Sequence, residues 1–74
     1  MNVNFITFNE EIYYSIICKN TDKLNKIIKS FYNIYPQYRE YKNIFKFKGK
    51  EINMSNTLEE NNINNNDIIT IESY

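Results

Sequence analysis

The 74-residue sequence is poor in the residues from which most catalytic and metal sites are built. It has no histidine, one glycine and one cysteine, Cys18. Without histidine no Ser–His–Asp or Cys–His arrangement can form, and a lone cysteine completes neither a disulfide nor a zinc site. We therefore interpret Cys18 as a small buried hydrophobe, and we expect no enzymatic activity, no metal and no cofactor.

The sequence also lacks net charge, because nine basic and nine acidic residues give a formal charge of zero. A neutral chain lacks the basic field that attracts nucleic acids and the polybasic segment that binds anionic membranes. No apolar run approaches the roughly 20 residues of a membrane helix, and the first residues do not resemble a signal peptide. We expect an intracellular protein, cytoplasmic or nuclear, that is a monomer by default and whose partners are proteins, with no nucleic acid and no membrane.

Alternation of apolar and polar residues predicts the β-strands of the chain. The strands are predicted at residues 3–8, 12–19, 44–48, 50–52 and 67–74. In the second of these, Tyr14, Ile16 and Cys18 are expected to face inward. The last strand is expected to lie centrally beside the first, because Ile69 and Ile71 are too apolar for an exposed edge.

A single helix is predicted between the second and third strands. Its apolar stripe has the i, i+3, i+4, i+7 spacing of an amphipathic helix. The stripe consists of Leu24, Ile27, Ile28 and Phe31. Thr21 or Asp22 is expected to provide the N-cap, and Pro36 prevents continuation. Further along, the sequence of residues 57–60, TLEE, predicts a capping box that opens one helical turn.

These elements predict one domain, residues 1–74, of the α+β class. One helix must cover one face of a mixed sheet of four to five strands.

Residues 44–71 resemble the ubiquitin-like β-grasp family. The matching positions are Phe45, Phe47, Gly49, Lys50, Ile52, Thr57, Leu58, Ile63, Ile69 and Ile71. The predicted helix is also similar to that of SUMO, through Leu24, Ile27, Ser30 and Phe31. The resemblance implies the ββαββ order of a β-grasp.

The end of the sequence departs from the modifiers of this family. Ubiquitin and SUMO are conjugated through a flexible tail that ends in Gly-Gly, whereas this sequence ends at Tyr74 without glycine. The resemblance therefore implies a non-conjugated ubiquitin-like module that binds a protein partner noncovalently. The alternative is a ubiquitin- or SUMO-like modifier whose Gly-Gly lies beyond Tyr74.

The resemblance to SUMO implies a first candidate binding surface. SUMO accepts an extended aliphatic peptide as an added strand along its second strand, beside the helix. The corresponding candidate residues are Tyr13, Ile17, Lys19, Ile27 and Ser30. Lys19 would suit an acidic flank on the ligand. The alternative is that this edge is apolar only for packing.

The outer face of the sheet is a second candidate surface. Lys46 and Glu72 occupy the positions of the isoleucine and valine that most ubiquitin receptors bind, so those receptors should not bind here. The candidate residues are Lys46, Lys48, Thr70 and Glu72. A solvated face with a Lys46–Glu72 ion pair is the alternative. Tyrosines at 32, 35, 38 and 41 are either interface anchors or a cover for the core.

Overall fold

A computed structural model describes all 74 residues of the protein. The elements are, in chain order, β1 (Asn2–Thr7), β2 (Tyr13–Ile17), α1 (Leu24–Ile34), a 3-10 helix (Pro36–Glu40), β3 (Asn43–Phe47), β4 (Lys50–Glu51) and β5 (Ile68–Ser73). The strands form one mixed sheet in the order β2-β1-β5-β3-β4. β5 lies parallel to β1 and antiparallel to β3, which confirms the predicted central position of the last strand.

The core lies between α1 and one face of the sheet. The predicted helix stripe is fully buried, and alternate residues of β1, β3 and β5 meet it from the sheet. The buried apolar residues are Val3, Phe5, Leu24, Ile27, Ile28, Phe31, Tyr38, Phe45, Ile52, Leu58, Ile63, Ile69 and Ile71. One helix on a five-stranded sheet confirms the predicted α+β class and the β-grasp order.

The helix begins later than predicted, and the predicted N-cap is wrong. Lys23 occupies the N-cap and makes no side-chain hydrogen bond there. The carboxylate of Asp22 instead accepts the backbone N–H of Lys19, at 2.9 Å. The first N–H groups of α1 donate to the carbonyls of Asn56 and Met54, each at 3.0 Å. Carbonyls from a distant segment therefore replace the expected side-chain cap.

The predicted capping box at Thr57 is confirmed. The Thr57 N–H donates to Glu60 Oε1 at 3.0 Å, and the Glu60 N–H donates to Thr57 Oγ1 at 3.1 Å. The Asn61 N–H then reaches the Thr57 carbonyl at 3.2 Å, the bond of a single helical turn. This turn places Leu58 and Ile63 in the core, so the long connection between β4 and β5 is anchored.

Most of the tyrosine run is part of an aromatic cluster around Phe31. The rings of Tyr32, Tyr35 and Tyr38 lie 5.3 to 5.9 Å from the Phe31 ring, measured between centroids. Tyr41 packs on Tyr38 and remains 53% exposed. Three of the four tyrosines therefore cover the core, and only Tyr41 is largely free for other contacts.

Candidate functional site: the free edge of strand β2

β2 is an edge strand, and its hydrogen-bond pattern shows which backbone groups are free. Met1 and Cys18 exchange both of their N–H···O bonds, at 2.8 Å each. At the other end, the Thr7 N–H donates to the Ile12 carbonyl at 3.1 Å. In an antiparallel pair such bonded residues alternate with unbonded ones. Even-numbered residues of β2 therefore bond to β1, and odd-numbered residues direct their N–H and C=O groups away from the sheet.

The free edge consists of three residues: Tyr13, Ser15 and Ile17. It ends at Lys19, whose N–H donates to Asp22 Oδ2 at 2.9 Å and whose carbonyl accepts the Asp22 N–H at 3.0 Å. Three N–H donors and three carbonyl acceptors thus face outward along β2. Natural edge strands are often protected by proline, bulges or inward charges, and residues 13–17 contain none of these.

The side chains of the same three residues lie on the outer face of the sheet. Ile17 is 85% exposed, more than any other large apolar side chain of the protein, and Tyr13 is 58% exposed. Ser15 Oγ donates to Asn4 Oδ1 of the neighbouring strand. On the helix side, Tyr14 and Ile16 are half-buried against the core, as their predicted inward orientation requires. Both faces of this edge therefore offer apolar surface.

The remaining predicted residues of this surface are placed differently from one another. Lys19 is exposed and forms no ion pair within the chain. Ser30 is half-buried on α1. Ile27 is 2% exposed and belongs to the core, so it supports the edge from beneath and offers almost no surface to a ligand. Cys18 is half-buried next to the edge, and desolvation by burial raises the pKa of its thiol.

Sequence reasoning missed Ser15 as a member of this site. Its small polar side chain gives no sign of binding, and its contribution is the backbone N–H and C=O. The signal that could have found it is its period-two spacing between Tyr13 and Ile17.

The second candidate surface is an ion pair on the outer face of β3 and β5. Lys46 Nζ lies 2.6 Å from Glu72 Oε2, and Thr70 is the register partner of Lys46. Lys48 lies beyond the end of β3, in the turn before Gly49, with its Nζ 5.2 Å from the centroid of the Phe47 ring. The structure brings Lys46, Thr70 and Glu72 together and separates Lys48 from them.

Of the residues of the two candidate surfaces, only Lys48 lines a surface concavity. The largest encloses about 470 Å³ between the β3–β4 turn and the Glu60–Asn62 turn, and none is lined by residues of β2. No cluster of three or more acidic, cysteine or histidine side chains could hold a metal. The structure contains no helix with the length and apolarity that crossing a bilayer requires.

A comparison with known protein families agrees with the fold. Residues 5–72 match the family model described as ubiquitin-2 like Rad60 SUMO-like. The chain belongs to this SUMO-like family. A search of curated proteins finds no match to the chain.

Acid should weaken this SUMO-like domain partly through the Lys46–Glu72 pair. The hydrogen bond from Lys46 is the largest of the effects that lower the pKa of Glu72 in the folded state. A lowered folded-state pKa stabilises the fold above the ordinary carboxyl pKa of about 4.3, and this contribution is lost as pH falls through the lowered value. We therefore expect the urea midpoint of the parent protein to fall more steeply below about pH 4.3 than that of Lys46→Met.

The matched control for this measurement is Lys50→Met, since Lys50 is exposed and forms no ion pair. Its acid dependence should follow that of the parent. Asp22 and Glu60 also have lowered pKa values, chiefly because each carboxylate accepts a backbone N–H, and they keep an acid dependence in every variant. Identical slopes for the parent and Lys46→Met would show that the pair contributes nothing.

Proposed function

We propose that this SUMO-like domain is a noncatalytic protein-interaction module that binds an extended aliphatic peptide noncovalently, as an added strand along β2. The observation that supports the proposal is the free edge, with three unpaired N–H and three unpaired C=O groups at Tyr13, Ser15 and Ile17. A peptide in β conformation presents the complementary groups at the same spacing.

The side chains on the two faces of the edge favour an aliphatic ligand. A peptide strand would place alternate side chains beside Tyr13 and Ile17 on the outer face and beside Tyr14 and Ile16 on the helix side. Burying this exposed apolar surface is favourable, at about 25 cal/mol per Å² removed from water. β-Branched residues such as valine and isoleucine also suit an extended backbone.

The charge of Lys19 favours acidic residues next to the aliphatic stretch of the ligand. Lys19 lies at the end of the edge, exposed and without an ion-pair partner. Acidic residues beyond the aliphatic stretch could pair with it. A charged pair at such an exposed position adds about 0.2–1 kcal/mol, so it would set the orientation of the ligand more than its affinity.

The proposal is tested with a synthetic peptide of four alternating valines and isoleucines followed by three aspartates. Titration into isotopically labelled protein should shift the amide resonances of Tyr13, Ser15 and Ile17 more than those of β4. Ile17→Pro should bind about five- to tenfold more weakly than Ile17→Ala. Both variants lose the isoleucine side chain, but only proline also removes an outward N–H, a loss of about 1 kcal/mol.

The ladder to β1 does not use the Ile17 N–H, so both variants should keep their fold. Thermal unfolding of each variant checks this. Equal affinities of Ile17→Pro and Ile17→Ala would contradict strand addition, as would an absence of peptide-induced shifts at β2.

A further inference from the structure

We propose that β2 also pairs with β2 of a second copy of this chain, in a twofold-symmetric antiparallel dimer that joins two sheets into one. The inference uses the same edge as the proposed function but does not depend on any peptide ligand. It rests on the parity of the outward backbone groups, on the side chains that the pairing brings together, and on two unpaired charges at the ends of the edge.

The outward backbone groups fix the permitted registers. An antiparallel partner can bond only where outward residues face outward residues, so both residues of each bonded pair must be odd-numbered. Centring the pairing on Ser15 places it opposite Ser15 of the second copy and places Tyr13 opposite Ile17. Each of these three pairs exchanges two N–H···O bonds. The central register therefore satisfies every free N–H and C=O group of both edges.

The same register matches the exposed side chains. Tyr13 and Ile17, which are 58% and 85% exposed, become direct cross-strand neighbours twice in the dimer. Aromatic and β-branched residues form favourable pairs across antiparallel strands. On the helix side, half-buried Tyr14 faces half-buried Ile16 of the second copy, so that both faces of the new pairing are apolar.

Charge selects this register over its neighbours. Residues 11 and 19 lie two positions beyond the ends of β2, and continuing the same register to them places Glu11 of one copy opposite Lys19 of the other, twice. Both side chains are exposed, and neither forms an ion pair within its own chain. A shift by two residues in one direction places Glu11 opposite Ile17, and the opposite shift places Lys19 opposite Tyr13. Only the central register pairs opposite charges and leaves no charge against an apolar side chain.

Charge reversal tests both the dimer and its register. Sedimentation equilibrium of the protein alone, up to millimolar concentration, should show a reversible monomer–dimer equilibrium. Glu11→Lys and Lys19→Glu should each weaken self-association about tenfold, because each variant turns both attractive pairs into like-charge pairs. An equimolar mixture of the two variants should recover the association of the parent. In the mixed dimer, positions 11 and 19 are both lysine in one copy and both glutamate in the other, so both facing pairs are again of opposite charge.

Lys42→Glu is the matched control, because Lys42 is exposed and lies outside β2. It should leave the dissociation constant unchanged. A protein that remains monomeric at millimolar concentration would overturn the inference, and so would a mixture that associates no better than the single variants. These measurements contain no peptide, so they can fail while the titration of the monomer with the aliphatic peptide succeeds.

Discussion

Replacing Phe31 by alanine is expected to lower the free energy of unfolding by about 3–5 kcal/mol. The free energy of unfolding of a domain of this size is itself only a few kcal/mol larger than this loss at most, so a large part of the population would be unfolded at room temperature. Phe31 is fully buried on α1. Its ring contacts five other aromatic rings, with centroids between 5.3 and 6.2 Å away: those of Phe5, Tyr14, Tyr32, Tyr35 and Tyr38.

The size of the effect follows from what surrounds the ring. The neighbours come from β1, β2, α1 and the 3-10 helix, so no single segment can move inward to fill the cavity. Aromatic pairs add about 0.5–1.5 kcal/mol each beyond simple burial. Urea unfolding followed by far-ultraviolet circular dichroism measures the loss.

Two variants control for this prediction. Phe8→Ala removes the same group from a side chain that is 59% exposed, and it should change stability far less. Phe31→Leu retains most of the buried volume and should fall between the parent and Phe31→Ala. A stability of Phe31→Ala equal to that of Phe8→Ala would mean that the aromatic cluster does not organise the core.

Replacing Asn43 by alanine is expected to lower the free energy of unfolding by about 2–3 kcal/mol, through lost hydrogen bonds and unpaired partners. Asn43 Nδ2 donates to the Tyr32 hydroxyl at 2.9 Å and to the Tyr38 carbonyl at 2.6 Å. Its Oδ1 accepts the Ser73 hydroxyl at 2.6 Å. One half-buried amide thus joins α1, the 3-10 helix and β5. Urea unfolding monitored by tyrosine fluorescence measures the effect.

Ser73→Ala breaks one of these bonds and should cost about 1 kcal/mol, while Asn33→Ala serves as an asparagine control on the surface. Asn33 is exposed and accepts one bond from Arg39, at 3.1 Å. Adding Ser73→Ala to Asn43→Ala should cost less than the sum of the two single changes, because they share one bond. An Asn43→Ala variant as stable as Asn33→Ala would refute the bridging role of this amide.

The elements of the fold could be predicted because local periodicity determines them. The apolar stripe of α1 is buried as its spacing requires, and the capping box at Thr57 forms with both of its hydrogen bonds. The central position of β5 followed from Ile69 and Ile71, because these side chains are too apolar for a strand at an exposed edge. Each of these inferences used only residues a few positions apart.

The features that sequence reasoning missed depend on segments that lie far apart along the chain. Asp22 is a good N-cap residue, but in the folded protein the first N–H groups of α1 donate to the carbonyls of Met54 and Asn56. Asn43 looks like any of the chain's many asparagines, and its role depends on Ser73, 30 positions away. No local sequence pattern indicates hydrogen-bond partners that lie so far apart along the chain.

The candidate site was predictable in outline only. The two-residue periodicity of a β-strand correctly separated the outward Tyr13 and Ile17 from the inward Tyr14 and Ile16. Whether β2 lies at an edge depends on strand order, and which of its backbone groups are free depends on hydrogen-bond parity with β1. Ile27 was assigned to the binding surface by family resemblance, although it lies in the core.

The distant cap of α1 has a consequence for the order in which this chain acquires structure. During synthesis the helix emerges from the ribosome before residues 54–56, whose carbonyls satisfy its first turn. An isolated helix of 11 residues is marginal in water, because nucleation is costly and the ends fray. We therefore expect the helix to become persistent only when the later part of the chain has been synthesised, and the domain to fold late and cooperatively.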